Sequence, residues 1–183
     1  MDAFAWLGEV FQALLSFVPR RVIVRATHGG VKWRLLRDPK ELKPGVRWFW
    51  PLLSEVEIIP VARQTLNLQP QALVTKEGKE VVVGGVVVYS INDVVMAIGK
   101  RNYDVDTTIN DISQCAIVEV ITTVEFKELL GDLKKVEKEL TKTCRRQLKQ
   151  FGVSVHRVAL TDFSPCRSLN IMGLYAKESL SVL

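Results

Sequence analysis

Three cysteines (Cys115, Cys144, Cys166), two histidines (His28, His156) and a few acid pairs are the residues here whose types suit metal binding or catalysis. A structural zinc site needs closely spaced cysteine or histidine ligands, and none of these positions falls in such a cluster. A serine nucleophile in a G-x-S-x-G elbow is not written here, nor is a cysteine in a recognisable histidine-paired motif. Asp104/Asp106 and Glu137/Glu139 read as helix-start and solvent-face charges rather than as a general acid with its base. Gly84-Gly85 lacks the Gly-Lys-Ser/Thr that would follow in a phosphate loop. No metal, no cofactor and no catalytic residue is therefore expected, and the chain does not read as an enzyme. Cys144 falls on the apolar stripe of a helix as a small buried hydrophobe, and Cys115 has a similar helical setting. Three cysteines without a disulfide framework fit a reducing compartment.

The chemistry that is written is attraction to anions and to apolar surfaces. The chain of 183 residues carries a net charge of +5. Between Arg20 and Arg47, however, nine basic residues stand against two acids, so this segment alone exceeds the surplus of the whole. Directly before it, residues 3–18 (AFAWLGEVFQALLSFV) are almost wholly apolar. Wound as a helix they would reach about 24 Å, short of a hydrocarbon core of about 30 Å. Asp2, Glu9, Gln12 and Ser16 share one narrow stripe of that helix. Phe4, Trp6, Leu7, Val10, Phe11, Leu14, Leu15, Phe17 and Val18 cover the rest. An oversized apolar face followed by Arg20, Arg21 and Arg25 is the pattern of an interfacial, shallowly inserted anchor on an anionic membrane. A signal peptide would carry its basic residues ahead of the apolar run and a cleavage site after it. A helix covering its own domain or an oligomer contact would bury the same stripe without lipid. Arg20 and Arg21 beside the helix favour leaving the rest of the chain on the cytoplasmic side. No cysteine stands nearby for palmitoylation, and Asp2 occupies the position that myristoylation gives to glycine.

The elements behind this segment divide into two regimes. Composition, at 48% hydrophobic and 25% charged, is that of a globular chain rather than a disordered or multi-span one. From Arg21 to Ile91 the pattern is short strands. Residues 22–26 and 31–35 alternate around His28-Gly29-Gly30, predicting a hairpin with its turn at the glycines. Asp38-Pro39 and Lys43-Pro44-Gly45 read as turns, 46–50 and 55–61 as edge-like strands, and 65–68 and 81–91 as the remaining strands. Gly84-Gly85 inside the last run predicts a bulge. Beyond Asn92-Asp93 the period lengthens: a short helix over 93–98 and a long one over 104–126, with Ile109, Ile112, Ala116, Val120 and Val124 on one side. Leu133, Val136, Leu140, Cys144, Leu148 and Phe151 mark a third helix, Gly152 its C-cap, and 153–160 a closing strand. Strands, then helices, then a strand predict an α+β domain with a mostly antiparallel sheet.

Several passages then resemble one family in its own order. Leu42-Lys43-Pro44-Gly45-Val46 through Pro51 is similar to the L-x-P-G-hydrophobic…P signature of the stomatin/prohibitin/flotillin superfamily, the band-7 or SPFH domain. Val61 to Thr65 followed by Leu73 to Val81, then Val88-Tyr89-Ser90-Ile91-Asn92-Asp93, resemble its D-x-R…T-K-D-x-x-x-V and v-x-Y-r-V-x-D passages. Phe151-Gly152-Val153-Ser154-Val155 through Leu160-Thr161-Asp162 resembles its closing strand. The resemblance covers about residues 20–165. It divides the chain into an anchor helix (1–19), the domain (20–165) and a short tail (166–183).

The resemblance implies a membrane-anchored α+β domain that assembles into large homo-oligomers and organises lipids or partner proteins, a membrane protein or protease among them, with no active site. In the family a long charged coiled-coil helix usually follows the domain. Here 21 residues follow Asp162, without a heptad run. Assembly is then expected through domain faces, the N-terminal helix or the tail. The competing reading is a soluble basic module for nucleic acid, prompted by Trp33, Trp48 and Trp50 interleaved with arginines. It ranks below the scaffold because no nucleic-acid motif accompanies them.

Overall fold

The computed structural model describes residues 18–35, 37–100 and 104–166, together with Gly8. The anchor helix and most of the tail expected above lie outside the described residues. From residue 18 onward, among the described residues, eight strands and three α-helices follow in the order predicted for an α+β domain: β1 (Arg20–Val24), β2 (His28–Arg34), β3 (Arg37–Leu42), β4 (Gly45–Phe49), β5 (Ser54–Pro60), β6 (Gln64–Val74), β7 (Glu80–Ile91), α1 (Val105–Ile121), α2 (Phe126–Gly131), α3 (Leu133–Leu148) and β8 (Val153–Pro165). A single π-helical turn, Val95–Lys100, leads from β7 toward α1, and a 3-10 turn, Lys149–Phe151, ends α3. The strands form three antiparallel sheets ordered β1-β4, β3-β2-β5 and β6-β7-β8.

The core belongs to the third sheet and its helices. β7 is the central strand, hydrogen-bonded on both edges, and one of its faces is fully buried while the valines of the other are partly so. Val81, Val83, Val87 and Tyr89 are buried there. Ile109, Ile117 and Ile121 of α1 and Leu140, Cys144 and Leu148 of α3 pack into the same cluster. Each such side chain contributes about 1.5–3 kcal/mol on full burial, so this half supplies most of the stability. Asp104 caps α1 by accepting from Asp106 N and Thr107 N, as a residue outside the first turn must if orphan amides are to be satisfied. The Tyr89 hydroxyl donates to Asp106 Oδ1 at 2.8 Å, tying the sheet to the start of that helix.

β8 is an edge strand, and α3 covers its open side with side chains rather than with backbone. Thr141 Oγ1 accepts from Val158 N at 2.9 Å, and Glu137 Oε1 from Leu160 N at 3.2 Å. Arg145 Nε donates to the Val155 carbonyl at 3.0 Å. Glu137 also pairs with Arg157 at 3.0 Å. An edge satisfied in this way offers no free ladder to another chain.

Several expectations change. The strand expected at 65–68 runs Gln64–Val74, the closing strand runs on to Pro165, and the short helix expected over 93–98 is the π-helical turn Val95–Lys100. β1 does not form a hairpin with β2; it pairs with β4, Arg20 opposite Phe49 through Val24 opposite Gly45. Gly29 and Gly30 lie inside β2, where a Cβ on Gly29 would come within 2.5 Å of Val94 Cγ2. The glycine is there for close approach, not for a turn. Asp38-Pro39 sits within β3, tolerable for proline because β3 is an edge strand. The long helix predicted to run to 126 stops at Ile121, and α2 begins at Phe126. The Thr122 and Thr123 hydroxyls turn back onto the carbonyls of Val118 and Val120 and compete with helical continuation there. Cys115 is exposed rather than buried. The buried face of α1 runs through Ile109, Ala116 and Val120, and Cys115 shares the outer stripe with Asp111 and Glu119. The bulge at Gly84-Gly85, the cap at Gly152 and the burial of Cys144 agree with expectation.

Candidate membrane-contact surface

Exposed apolar side chains are concentrated at one end of the molecule. Among the described residues, nine large apolar side chains are at least half exposed: Val18, Ile23, Leu35, Val46, Trp48, Trp50, Leu52 and Leu53 belong to the first two sheets or the segments beside them, and Leu130 alone lies elsewhere, on α2. The register explains how the β1–β4 ribbon presents its share. Residues directly opposite in an antiparallel pair point to the same face. One face therefore carries Val22, Val24 and Phe49 and packs inward. The other carries Ile23 with Val46 and Arg21 with Trp48. Ile23 is 65% exposed and Trp48 63%. A two-stranded ribbon with a single packed side leaves its second apolar side for something else.

The turn after β4 is fixed by one carbonyl. Trp50 O accepts from Leu53 N at 3.1 Å, from Ser54 N at 2.9 Å and from Ser54 Oγ at 3.0 Å. Leu35 N donates to Leu53 O at 3.1 Å, joining that turn to the end of β2. Trp50, Leu52 and Leu53 are thus held outward on an ordered backbone. Lys32 Nζ donates to the Trp48 carbonyl at 3.2 Å and tethers the ribbon to the second sheet. Between ribbon and sheet lies an open groove of about 580 Å³, with Trp48, Phe49, Trp50, Leu35 and Leu53 on its walls and Lys32, Arg34 and Arg37 at its rim. Partial burial, with Arg34 beside it, lowers the Lys32 ammonium below the usual lysine range.

The sequence-predicted contact residues fall as follows. Phe4, Trp6, Leu7, Val10, Phe11, Leu14, Leu15 and Phe17 lie outside the described residues. Val18 is half exposed, and Arg20, Arg21 and Arg25 are exposed on β1 and just after it, at the same end as Trp48. The exposed apolar side chains of Trp48, Trp50, Leu35, Leu52 and Leu53 are not among the contact residues expected from the sequence. Their signal was the interleaving of tryptophan with arginine around a Pro-Gly turn.

Elsewhere the structure joins two residues that sequence spacing leaves apart. Ser90 Oγ lies 2.9 Å from His156 Nε2 on neighbouring strands. The pair lies on the surface of the third sheet and borders neither the groove nor any other hollow described here. Burial pushes the Cys144 thiol up to about 11, so it stays protonated at neutral pH. Among the described residues no cluster of three or more histidines, cysteines and acids suits a metal ion, and no helix is long and apolar enough to cross a membrane.

The model of the SPFH domain / Band 7 family matches residues 22–171. An uncharacterised protein of Methanocaldococcus jannaschii is 28% identical over 160 residues, covering 87% of this chain and 80% of its own. A stomatin homologue of Pyrococcus horikoshii is 28% identical over 141 residues, covering 76% of this chain and 52% of the homologue. Mouse stomatin is 20% identical over 119 residues, with coverage of 65% and 42%. The chain thus spans about half the length of its stomatin relatives.

Proposed function

Because the chain belongs to the SPFH domain / Band 7 family, we propose that it is a membrane-associated scaffold. In this reading the domain lies on the cytoplasmic side, assembles with copies of itself and organises lipids or partner proteins. It carries out no reaction. The observation that carries the reading is the exposed face of the first two sheets, where Ile23, Val46, Trp48, Trp50 and Leu53 stand among Arg21, Arg34 and Arg37. Aromatic and aliphatic side chains mixed with arginine suit the headgroup level of an anionic bilayer. Each basic residue near such a surface contributes about 1 kcal/mol, and each apolar side chain that leaves water about 1.5–3 kcal/mol. Residues 3–18 precede this face directly and supply the deeper anchor.

The test is co-flotation of the full chain, and of a form lacking residues 1–19, with phosphatidylcholine vesicles containing phosphatidylglycerol, with masses read in detergent. The full chain is expected to float as a large oligomer and the shortened form to stay behind or bind weakly. A full chain that remains a soluble monomer overturns the reading. So does steeply salt-dependent binding to single-stranded DNA without binding to vesicles, which would favour the nucleic-acid module instead.

A further inference from the structure

The groove beside the ribbon has a charge arrangement that general membrane affinity does not require. On the β2–β3 hairpin Lys32 stands directly opposite Lys40, and Arg34 directly opposite Arg37. Like charges facing one another across strands destabilise a sheet. Here two such pairs follow in succession, with a bulge between them. Asp38 is the acid nearest in the chain, and it borders a neighbouring shallow hollow together with Arg34, Arg37 and Lys40. Burial first, and the neighbouring charge of Arg34 second, lower the Lys32 ammonium. An anion seated there would relieve the repulsion that the register imposes.

The walls below that rim are of opposite character. Leu35, Trp48, Phe49, Trp50 and Leu53 form an apolar trough open to solvent at the same end as the exposed ribbon face. Its volume of about 580 Å³ lies within the usual range of small-molecule sites, roughly 300–1,000 Å³. A free inorganic anion would use the rim and leave the trough wet. A neutral lipid would fill the trough and offer the cations no charge. A molecule with a phosphate joined to a hydrocarbon chain satisfies both.

We propose that this groove seats one anionic glycerophospholipid, its phosphate among Lys32, Arg34 and Arg37 and an acyl chain along Leu35, Trp48 and Leu53. The inference rests on the membrane reading above and adds a discrete, saturable lipid site to it. Lipid bound there would be held at one position per domain, so an assembly of copies would carry an ordered set of anionic lipids. Pro19 also borders the groove, which makes the chain's own N-terminal segment the competing occupant.

The experiment titrates the full chain with dihexanoyl-phosphatidylglycerol below its micelle concentration, read by calorimetry and by tryptophan emission. Expected is saturation at one lipid per chain with a blue shift. Dihexanoyl-phosphatidylcholine and inorganic phosphate should bind far more weakly. The double variant Arg34→Gln/Arg37→Gln should weaken binding about 30-fold, two surface cations' worth, at a denaturation midpoint no lower than the parent's, because the facing like charges are removed. Leu53→Ser should weaken lipid binding without changing the response to inorganic phosphate. The proposal is overturned if phosphatidylcholine binds as tightly, if phosphate alone binds as tightly, or if both variants bind like the parent. It is also overturned if lipid binds only once residues 1–17 are removed, which would identify the chain's own segment as the occupant. Flotation with mixed vesicles, run in parallel, separates the two readings. A chain that floats but shows no saturable short-chain binding loses the groove site and keeps its membrane role, whereas failure of both removes both.

Discussion

The half built from β6–β8 and α1–α3 and the half built from β1–β5 handle apolar residues in opposite ways. In the first, valine, isoleucine and leucine are buried between sheet and helices, and even the open edge of β8 is covered by Thr141, Glu137 and Arg145. In the second, Val24 and Val31 are the fully buried apolar side chains among the described residues before Val61, while eight large ones stand exposed. Apolar surface costs free energy wherever it meets water, so its concentration in one half points to a surface that is covered when the protein works. One half carries the stability, and the other is the one proposed to make the contact.

That division can be broken at several points. Leu140→Ala, at a fully buried position of α3, should lower unfolding free energy by about 2–5 kcal/mol in denaturant titration. Vesicle binding of the fraction that remains folded should be unchanged. Glu137→Ala leaves Leu160 N without its acceptor and Arg157 without its partner, and should cost about 1–3 kcal/mol. Trp48→Ser should shift stability by no more than about 0.5 kcal/mol, as for other surface positions, yet reduce vesicle co-flotation clearly. A stability loss comparable with that of Leu140→Ala would place Trp48 in a core and erase the contrast. The smallest effect concerns acid. Hydrogen bonds from the Thr107 hydroxyl and amide hold the Asp104 carboxyl below the usual range. Its folded value being depressed, its contribution is present above the unfolded carboxylate pKa and is lost as pH falls through the folded one. Thermal melting should therefore decline slightly in acid, and Asp104→Asn should flatten that part of the profile.

The stable half was the more legible in sequence, for a physical reason. Periods of two and 3.6 report burial on one face, and where sheet and helices do bury one face the strands, the caps at Asp104 and Gly152 and the bulge at Gly84-Gly85 follow from local pattern. The break after Ile121 was hidden because Val124 and Phe126 continue the apolar spacing, while the threonines that end the helix act through hydroxyl bonds. In the other half local pattern misleads. Alternation around His28-Gly29-Gly30 has the form of a hairpin, but β1 pairs with β4 across an intervening pair of strands. Gly29 answers to Val94, 65 residues away in the chain. The exposure of Arg20, Arg21 and Arg25 was legible because charge needs no register. Trp48 and Leu53 were not, because alternation does not say that a strand belongs to a ribbon with one uncovered side.

The most direct test follows the two halves against a bilayer. With Trp6, Trp33 and Trp50 replaced by Phe, Trp48 becomes the sole reporter. A second chain carries Trp48→Phe as well, with Leu130→Trp as an exposed reporter in the other half. Brominated phosphatidylglycerol vesicles should quench Trp48 strongly and leave the reporter at position 130 at its emission in buffer. Equal quenching at both positions, or none at Trp48 from a chain that still floats with the vesicles, would contradict the assignment of membrane contact to the β1–β5 half.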